Sequence, residues 1–475
     1  MNIVFAISEV EDLVKTGGLA DVGKALPLAL REAGEDVVLF MPYYKAIADE
    51  YKLADACSQQ TLFAESKVYH YNIKQLSWND LTIYFIDHPE YFNRDGLYSS
   101  QYEAYTDNAE RFSFFSGAVL HAIQALGLQP DIIHCHDWHT AMLPFLLVHE
   151  QSGYFASTKT VFTIHNAAFQ GVHKLADIPY LRHHPAILPH VHGGYINMLQ
   201  SGIQFATKIT TVSPNYAEEL LTDLGSHGLH DRLMLRKDDL SGILNGCDYG
   251  QWNPQDDDFL PENYSAETLH LKKESKVALQ KASNLPQQPD VPIIGMVCRL
   301  TEQKGFSYLV PILDDLLQHN LQVIIVGTGD PGVCMDLDEF AQQHPTQFSF
   351  INGFSIQHAH LVEAGADFFL MPSQFEPCGL NQMYSLAYGT IPIVRSVGGL
   401  KDTVVDCAQN PETSTGFVFD APSPEALLNC IRRALLFYHE HPSRFRQMQV
   451  RGMKTRFTWG AAAAKYAALY RSMLP

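Results

Sequence analysis

Short apolar runs alternate with stretches of helical periodicity along the chain. A first series of runs lies at 2–8, 36–41, 81–86, 131–134, 160–164 and 208–212, and a second at 292–297, 322–326, 347–351, 366–371 and 391–394. Strands spaced by helices in this way predict parallel sheets with right-handed crossovers. Two series predict two doubly wound α/β domains. The pattern breaks across 246–283, where Trp252-Asn253-Pro254-Gln255-Asp256-Asp257-Asp258 is turn-rich, charged and aperiodic. The domains are accordingly read as 1–245 and 246–457. The closing segment, 458–475, is an alanine- and tyrosine-rich helix expected to pack back on the first domain.

Length supports that division, since 475 residues exceed what one core usually holds. Charge narrows the partners: 33 basic against 52 acidic residues leave a net −19, which argues against nucleic acid or an anionic membrane. A small anion held by a few converging cations remains compatible with it. The chain enters a strand at once, without signal-peptide features, and no apolar stretch approaches a membrane span, so a cytoplasmic location is expected. Eight cysteines with no C-x-x-C pair are read as reduced core residues. Among 22 histidines, His134, His136 and His139 cluster around Asp137. Strand alternation puts His134 and His136 on one face, and no supported metal spacing is evident, so no metal is expected.

In open parallel sheets ligands bind beyond the carboxyl ends of the strands, and the chemically capable residues gather there. After the first strand comes Lys15-Thr16-Gly17-Gly18-Leu19-Ala20-Asp21, which opens a helix. It suits either an anion, held by backbone N–H groups and Lys15, or a tight turn with a solvated lysine. It is neither the phosphate loop of triphosphatases nor the dinucleotide fingerprint. Arg299 and Lys304, five apart past a strand, suit one diphosphate or an ordinary surface loop. Ser373-Gln374-Phe375-Glu376-Pro377-Cys378-Gly379-Leu380 sets a carboxylate and a glycine before a helix beginning near Leu380. There Glu376 could accept from sugar hydroxyls while the helix start faces phosphate. Asn245, in Asn245-Gly246-Cys247-Asp248, either reaches a ligand or makes an Asx turn. Gly327-Thr328-Gly329-Asp330 is a weak glycine signal, equally a strand-to-helix turn.

The ensemble resembles the bacterial and plastid glycogen and starch synthases that use ADP-glucose, over essentially the whole chain. The motifs that carry the likeness agree in order and spacing. They are Lys15-Thr16-Gly17-Gly18-Leu19-Ala20-Asp21-Val22, Tyr105-Thr106-Asp107-Asn108, His136-Asp137-Trp138-His139, Thr163-Ile164-His165-Asn166, Thr211-Val212-Ser213-Pro214, Leu244-Asn245-Gly246, Arg299-Leu300-Thr301 with Gln303-Lys304-Gly305, Phe375-Glu376-Pro377-Cys378-Gly379-Leu380, and Gly398-Gly399-Leu400 with Asp402-Thr403-Val404.

The resemblance implies a GT-B architecture, two Rossmann-like domains facing an interdomain cleft, and retaining transfer of glucose from ADP-glucose to the non-reducing 4-hydroxyl of an α-1,4-glucan, glycogen. It implies no cofactor and no metal. Carried onto this chain, Lys15, Gly17 and Gly18 would approach the donor's phosphates and glucose, and Arg299 and Lys304 would neutralise the departing diphosphate. Glu376 and Asn245 would hold glucose hydroxyls, with the Gly379 and Leu380 N–H groups near sugar or phosphate. His165 would lie beside the reacting centre, Asp137 near the acceptor, and Phe354 against adenine. Asp21, Asn166, Ser373, Cys378 and Asn381 complete the implied substrate-binding set. Domain closure, with hinges near 245–252 and 457–460, is expected on binding.

The chain departs from the family pattern in places. Gln374 stands where arginine is frequent, Gln200 where lysine is, and Tyr384 where many retaining GT-B enzymes carry a second glutamate eight residues after the first. Two other readings are weighed: a GT-B enzyme using UDP-glucose or a small acceptor, and a non-catalytic glucan-binding protein. Intact Lys15, Asp137, His165, Arg299, Lys304 and Glu376 count against the second.

Overall fold

The computed structural model describes every residue except 65, 66, 101, 102 and 475. Two compact units make up the chain, Met1–Gly246 with Trp459–Pro475, and Cys247–Thr458. In the first, nine strands form one sheet: β1 (Asn2–Ala6), β2 (Asp36–Pro42), β3 (Asp55–Ala64), β4 (Lys67–Trp78), β5 (Leu81–Asp87), β6 (Ile132–His136), β7 (Lys159–Ile164), β8 (Lys208–Thr211) and β9 (Leu240–Gly242). Their order is β9-β8-β7-β6-β1-β2-β5-β4-β3. From β9 to β5 every pairing is parallel. The central strands β1 and β6 are buried almost throughout, as strands covered on both faces must be.

Sequence periodicity missed one end of this sheet. β3 and β4 run antiparallel to each other, and β4 antiparallel to β5, so the sheet is mixed rather than parallel. The reason lies in their polarity. Residues 55–64 include Asp55, Ser58, Gln59, Gln60 and Thr61, are half-buried or exposed with none buried, and show no continuous apolar run. The short edge strand β9 was likewise too brief to register.

The second unit holds six parallel strands: β10 (Ile293–Val297), β11 (Gln322–Gly327), β12 (Phe348–Asn352), β13 (Phe368–Met371), β14 (Ile391–Arg395) and β15 (Phe417–Phe419), ordered β12-β11-β10-β13-β14-β15. Both sheets are doubly wound, with a switch point at the strand flanked by crossovers in opposite directions. In the first unit that point lies between β1 and β6, and in the second between β10 and β13.

Four helices matter below. α1 (Gly18–Glu32) follows β1; α2 (Ile356–Gly365) and α3 (Asn381–Ala387) belong to the second unit; α4 (Trp459–Ser472) belongs to the first. On α4, Tyr470 Oη lies 2.7 Å from His134 Nδ1 and Arg471 pairs with Glu35. No helix among the described residues is long and apolar enough to cross a membrane.

Candidate functional site

At the switch point of the first unit the loop after β1 is shaped by Glu9, a residue the sequence pattern did not single out. Its carboxylate, 3% exposed, accepts the Thr16 N–H at 2.5 Å, the Thr16 hydroxyl at 2.6 Å and the Gly17 N–H at 3.3 Å. The Tyr98 hydroxyl donates to the same carboxylate at 2.7 Å. Of the N–H groups expected to greet an anion, those at Thr16 and Gly17 are thus taken by an internal carboxylate. Gly18, the first residue of α1, opens the free end of the helix. An acid at the carboxyl end of a strand, a few residues before a glycine pair, marks Glu9 as a candidate, but Glu11 and Asp12 share that stretch and only the fold tells them apart.

Lys15 Nζ sits 2.8 Å from both Glu11 Oε1 and Asp21 Oδ1. Burial pulls its pKa down, but the two carboxylates outweigh this and leave it above the ordinary value. Asp21 is pushed up to about 6 by burial, against the pull of Lys15. The lysine is therefore a charged group oriented by two carboxylates, with 42% of its side chain still exposed.

Beside this loop, β6 delivers Asp137 and β7 delivers His165. Asp137 has φ +53°, a left-handed conformation that costs about 1 kcal/mol and persists only where its surroundings enforce it. The turn aims its carboxylate at the next strand end: the His165 N–H donates to Asp137 Oδ1 at 2.7 Å. Burial pushes Asp137 up to about 7, although N–H donation from His165 and Asn166 opposes it. His165 Nε2 lies 3.0 Å from His136 Nδ1, and burial lowers His165 to about 3. His136 is driven well below its usual range by burial, with the rings of His134 and His165 adding. These histidines are thus held neutral and packed ring against ring, the His134 and His136 centroids lying 4.2 Å apart with 33° between planes. Among the described residues no group of three or more His, Cys, Asp or Glu is placed to hold a metal ion. Asn166 uses its side-chain oxygen on the Ala168 N–H, an Asx turn that shapes this loop.

Asn245 resolves the two alternatives posed by the sequence. An Asx turn would need the Cys247 N–H, which instead donates to Phe457 O at 2.7 Å. Asn245 Oδ1 is buried and has no hydrogen-bond partner among the described residues, in a residue only 7% exposed. A buried, unmet acceptor is costly, and a ligand donor would satisfy it.

The second unit gathers a different chemistry at its switch point. Past β10, Lys304 Nζ lies 2.6 Å from Glu376 Oε2, which also accepts the Ser373 hydroxyl at 2.9 Å. Arg299 is exposed, and its guanidinium has no partner among the described residues. Asn381 ties the start of α3 to β10 by donating to Val297 O at 2.9 Å. At seven residues α3 is short, so the field of a long helix is not what this loop offers; the Gly379 and Leu380 N–H groups act singly. Cys378 is buried, and all eight cysteines are free thiols. Phe354 is 85% exposed after β12.

Glycine packing holds this loop in shape. Gly398 has φ +43°, and a side chain there would meet Glu376 O at 1.9 Å; Gly305 has φ +79° and would meet Pro372 O at 1.9 Å. Arg395, also missed by motif reading, donates to Gln374 O at 2.5 Å from β14.

A model of the starch synthase catalytic domain matches residues 2–234, and one of the group 1 glycosyl transferases matches 279–448. The chain is 48% identical to the glycogen synthase of Photobacterium profundum, over 99% of this chain and 94% of that one. It is 49% identical to the glycogen synthase of Aeromonas salmonicida, over 100% and 98%. The chain belongs to the glycogen and starch synthase family. It is therefore a glycosyltransferase of the GT-B class, taking a nucleotide-sugar donor and a glucan acceptor. Among solved structures, the catalytic domain of starch synthase IV from Arabidopsis thaliana, bound to ADP and acarbose, superposes with a TM-score of 0.88 at 31% identity over 99% of both chains. A sucrose-phosphate synthase from Thermosynechococcus elongatus shares the fold alone, with a TM-score of 0.60 at 18% identity.

Proposed function

We propose that this family member transfers glucose from ADP-glucose to the non-reducing 4-hydroxyl of an α-1,4-glucan with retention, extending glycogen in the cytoplasm. A net charge of −19 argues against nucleic acid or an anionic membrane as its main partner. The observation that carries the donor assignment is a cation pair of unequal state: Lys304 is fixed by Glu376, while Arg299 is exposed and unpaired beside it in the chain. Such a pair suits a diphosphate, with a planar fork and a point charge. The adenine preference is supported by the relative solved with ADP.

In the proposed reaction the bond from the glucose C1 to the phosphate oxygen breaks as the acceptor oxygen bonds to C1 on the same face. The acceptor's proton leaves with the departing ADP. Arg299 and Lys304 stabilise charge that grows on the leaving oxygens, an interaction stronger in the transition state than before it. Glu376, through its second oxygen, and Asn245 take glucose hydroxyls; Gly379 and Leu380 offer N–H groups, with Ser373, Cys378 and Asn381 setting that loop. Lys15 and Gly18 approach the donor's phosphates and glucose, with Gly17, its N–H held by Glu9, shaping the turn and Asp21 orienting Lys15, and Phe354 takes the adenine. The neutral His165 donates a hydrogen bond without charge. Asp137, once ionised, offsets positive charge developing at C1, with Asn166 shaping its loop. The second unit is the nucleotide-sugar domain and the first the acceptor domain.

Initial rates with ADP-glucose and UDP-glucose on glycogen, for wild type and Lys304→Ala, test this. A strong ADP-glucose preference that collapses in the variant is expected. Equal or greater use of UDP-glucose would overturn the donor assignment.

A further inference from the structure

The polar stretch that broke the sequence pattern is a packed part of the second unit. From it, the Trp252 indole lies between two rings: His360 of α2 at 4.0 Å and 8° between planes, and Tyr384 of α3 at 4.1 Å and 6°. Five residues on, Asp257, 5% exposed, accepts His360 Nδ1–H at 2.7 Å and the Tyr388 hydroxyl at 2.6 Å through one oxygen. Its other oxygen takes the Phe259 N–H at 2.9 Å. Tyr384 and Tyr388, four apart, lie on one face of a helix, so one segment grips α3 twice. Tyr264 adds a third tie, donating to Tyr388 O at 2.8 Å.

What these contacts hold matters more than their number. α3 begins directly after the loop of Glu376, Gly379 and Leu380, and α2 begins directly after Phe354 and Ser355. Ser385 on α3 also donates to Glu363 on α2 at 2.7 Å, so the two helices are bound together as well as to the segment. Tyr384 occupies the position eight residues after Glu376, and its ring, 7% exposed, is committed to the Trp252 face.

From this we infer that Tyr384 and Trp252 are positioning residues for the donor site: the stacked rung fixes α2 and α3, and with them the Phe354 and Glu376 loops. The assignment rests on the donor-site reading above. Parallel rings at this spacing are rigid and sequence-specific in a way a general apolar contact is not, because a flat ring must be replaced by a flat ring. A loop displaced by a fraction of an ångström loses hydrogen bonds to its ligand without loss of the fold.

The test measures the Kd for ADP by calorimetry and both Michaelis constants, for wild type, Tyr384→Phe, Tyr384→Leu, Trp252→Leu and Lys304→Ala. Tyr384→Leu should raise the Kd for ADP and the KM for ADP-glucose about tenfold, near 1.4 kcal/mol, with the KM for glycogen within about twofold and Tyr384→Phe close to wild type. Should Tyr384→Leu fail to fold, Trp252→Leu, altering a half-buried residue outside the helices, carries the same expectation. Three outcomes overturn the rung: unchanged ADP affinity in a folded leucine variant, an equal rise in both Michaelis constants, or a loss in Tyr384→Phe matching that in Tyr384→Leu. Failure of the donor reading looks different, because Lys304→Ala would then bind ADP as tightly as wild type.

Discussion

The strand ends of the two units prepare for chemistry in opposite ways. In the first, charge is kept after β1, where Lys15 pairs with Glu11 and Asp21, but after β6 and β7 burial removes it: His134, His136, His139 and His165 are all pushed to the neutral form, and Asp137 is held up to about 7. In the second, charge is kept and paired, with Lys304 against Glu376 and Arg299 left exposed. A transferred sugar passes through a state with positive charge near C1 and negative charge on the leaving group. One region offers a neutral, dry surface and a carboxyl whose ionisation is finely poised; the other offers fixed cations. The division teaches that the same fold places different electrostatics at equivalent strand ends by whether a buried carboxyl is given a cation: Asp137 and Glu376 are equally buried, and only Glu376 has a lysine against it.

The sharpest way to break the comparison is to remove a fixed cation. Lys304→Ala should lower kcat/KM for the donor by about 10³, the scale of one preorganised charge at a leaving group. The variant also leaves Glu376, 6% exposed, without its partner, so Lys304→Arg is the control for lost charge against lost pairing. Arg restoring most of the rate would assign the effect to charge; no loss in the alanine variant would remove Lys304 from the chemistry.

Asp137→Asn tests the buried side, with an expected loss of about 10² in kcat. Its pH signature is more telling than its size. A carboxyl raised to about 7 makes kcat/KM rise with pH through that value, and Asn should abolish the limb. His165, lowered to about 3, stays neutral across the same range, so His165→Asn should slow the enzyme and leave the limb in place. Stability carries the opposite sign: the raised carboxyl contributes fully below its unfolded value and loses that contribution as pH rises through about 7. Thermal unfolding of Asp137→Asn should therefore depend less on pH between 4 and 7 than wild type, on the linkage scale of ~1.4 kcal/mol per pKa unit.

Much of this was legible before any coordinates. Apolar runs located the central strands because those are buried on both faces, and glycine pairs located the turns because few residues tolerate them. The antiparallel strands β3 and β4 at one end of the sheet were not legible, since a half-exposed antiparallel strand carries no continuous apolar run. Glu9 escaped for another reason. Its role depends on which N–H groups its carboxylate reaches, and spacing alone does not say whether an acid faces solvent or the loop beside it. His136 was weighed only as a metal ligand, whereas its structural importance is its contact with His165. Trp252 sat inside a turn-rich, aperiodic stretch read only as the break between domains, because stacking between distant helices leaves no local pattern.

Glu9 gives the next smaller test. Glu9→Gln keeps the size of the side chain and one acceptor oxygen but removes the charge that gathers the Thr16 and Gly17 N–H groups. We expect about a tenfold fall in kcat/KM, about one charge-assisted hydrogen bond's worth, with little change in Tm. Glu9→Ala should cost more, by opening a gap beneath the loop and leaving the Thr16 and Gly17 N–H groups without their acceptor, while the Tyr98 hydroxyl keeps Ser8 Oγ. A fully active alanine variant would mean that the loop holds its shape without the carboxylate, and Lys15 would then owe its orientation to Glu11 and Asp21 alone.

The smallest effect should come from the most exposed residue. Phe354, 85% exposed, can contribute only by stacking on a ligand base, because it packs on little of its own protein. Stacking of this kind is worth about 1 kcal/mol, which predicts a rise of about fivefold in KM for the donor in Phe354→Ala. The adenine lies far from the bond that breaks, so its binding is equal in ground and transition states and kcat should hold. Phe354→Tyr keeps the face and should keep the affinity. This pattern is the reverse of Lys304→Ala, in which kcat falls, and the two variants together separate donor binding from donor activation within a single strand-end region. A fall in kcat for Phe354→Ala would instead tie the exposed ring to movement of the loop that carries it, and donor binding and activation would not be separable there.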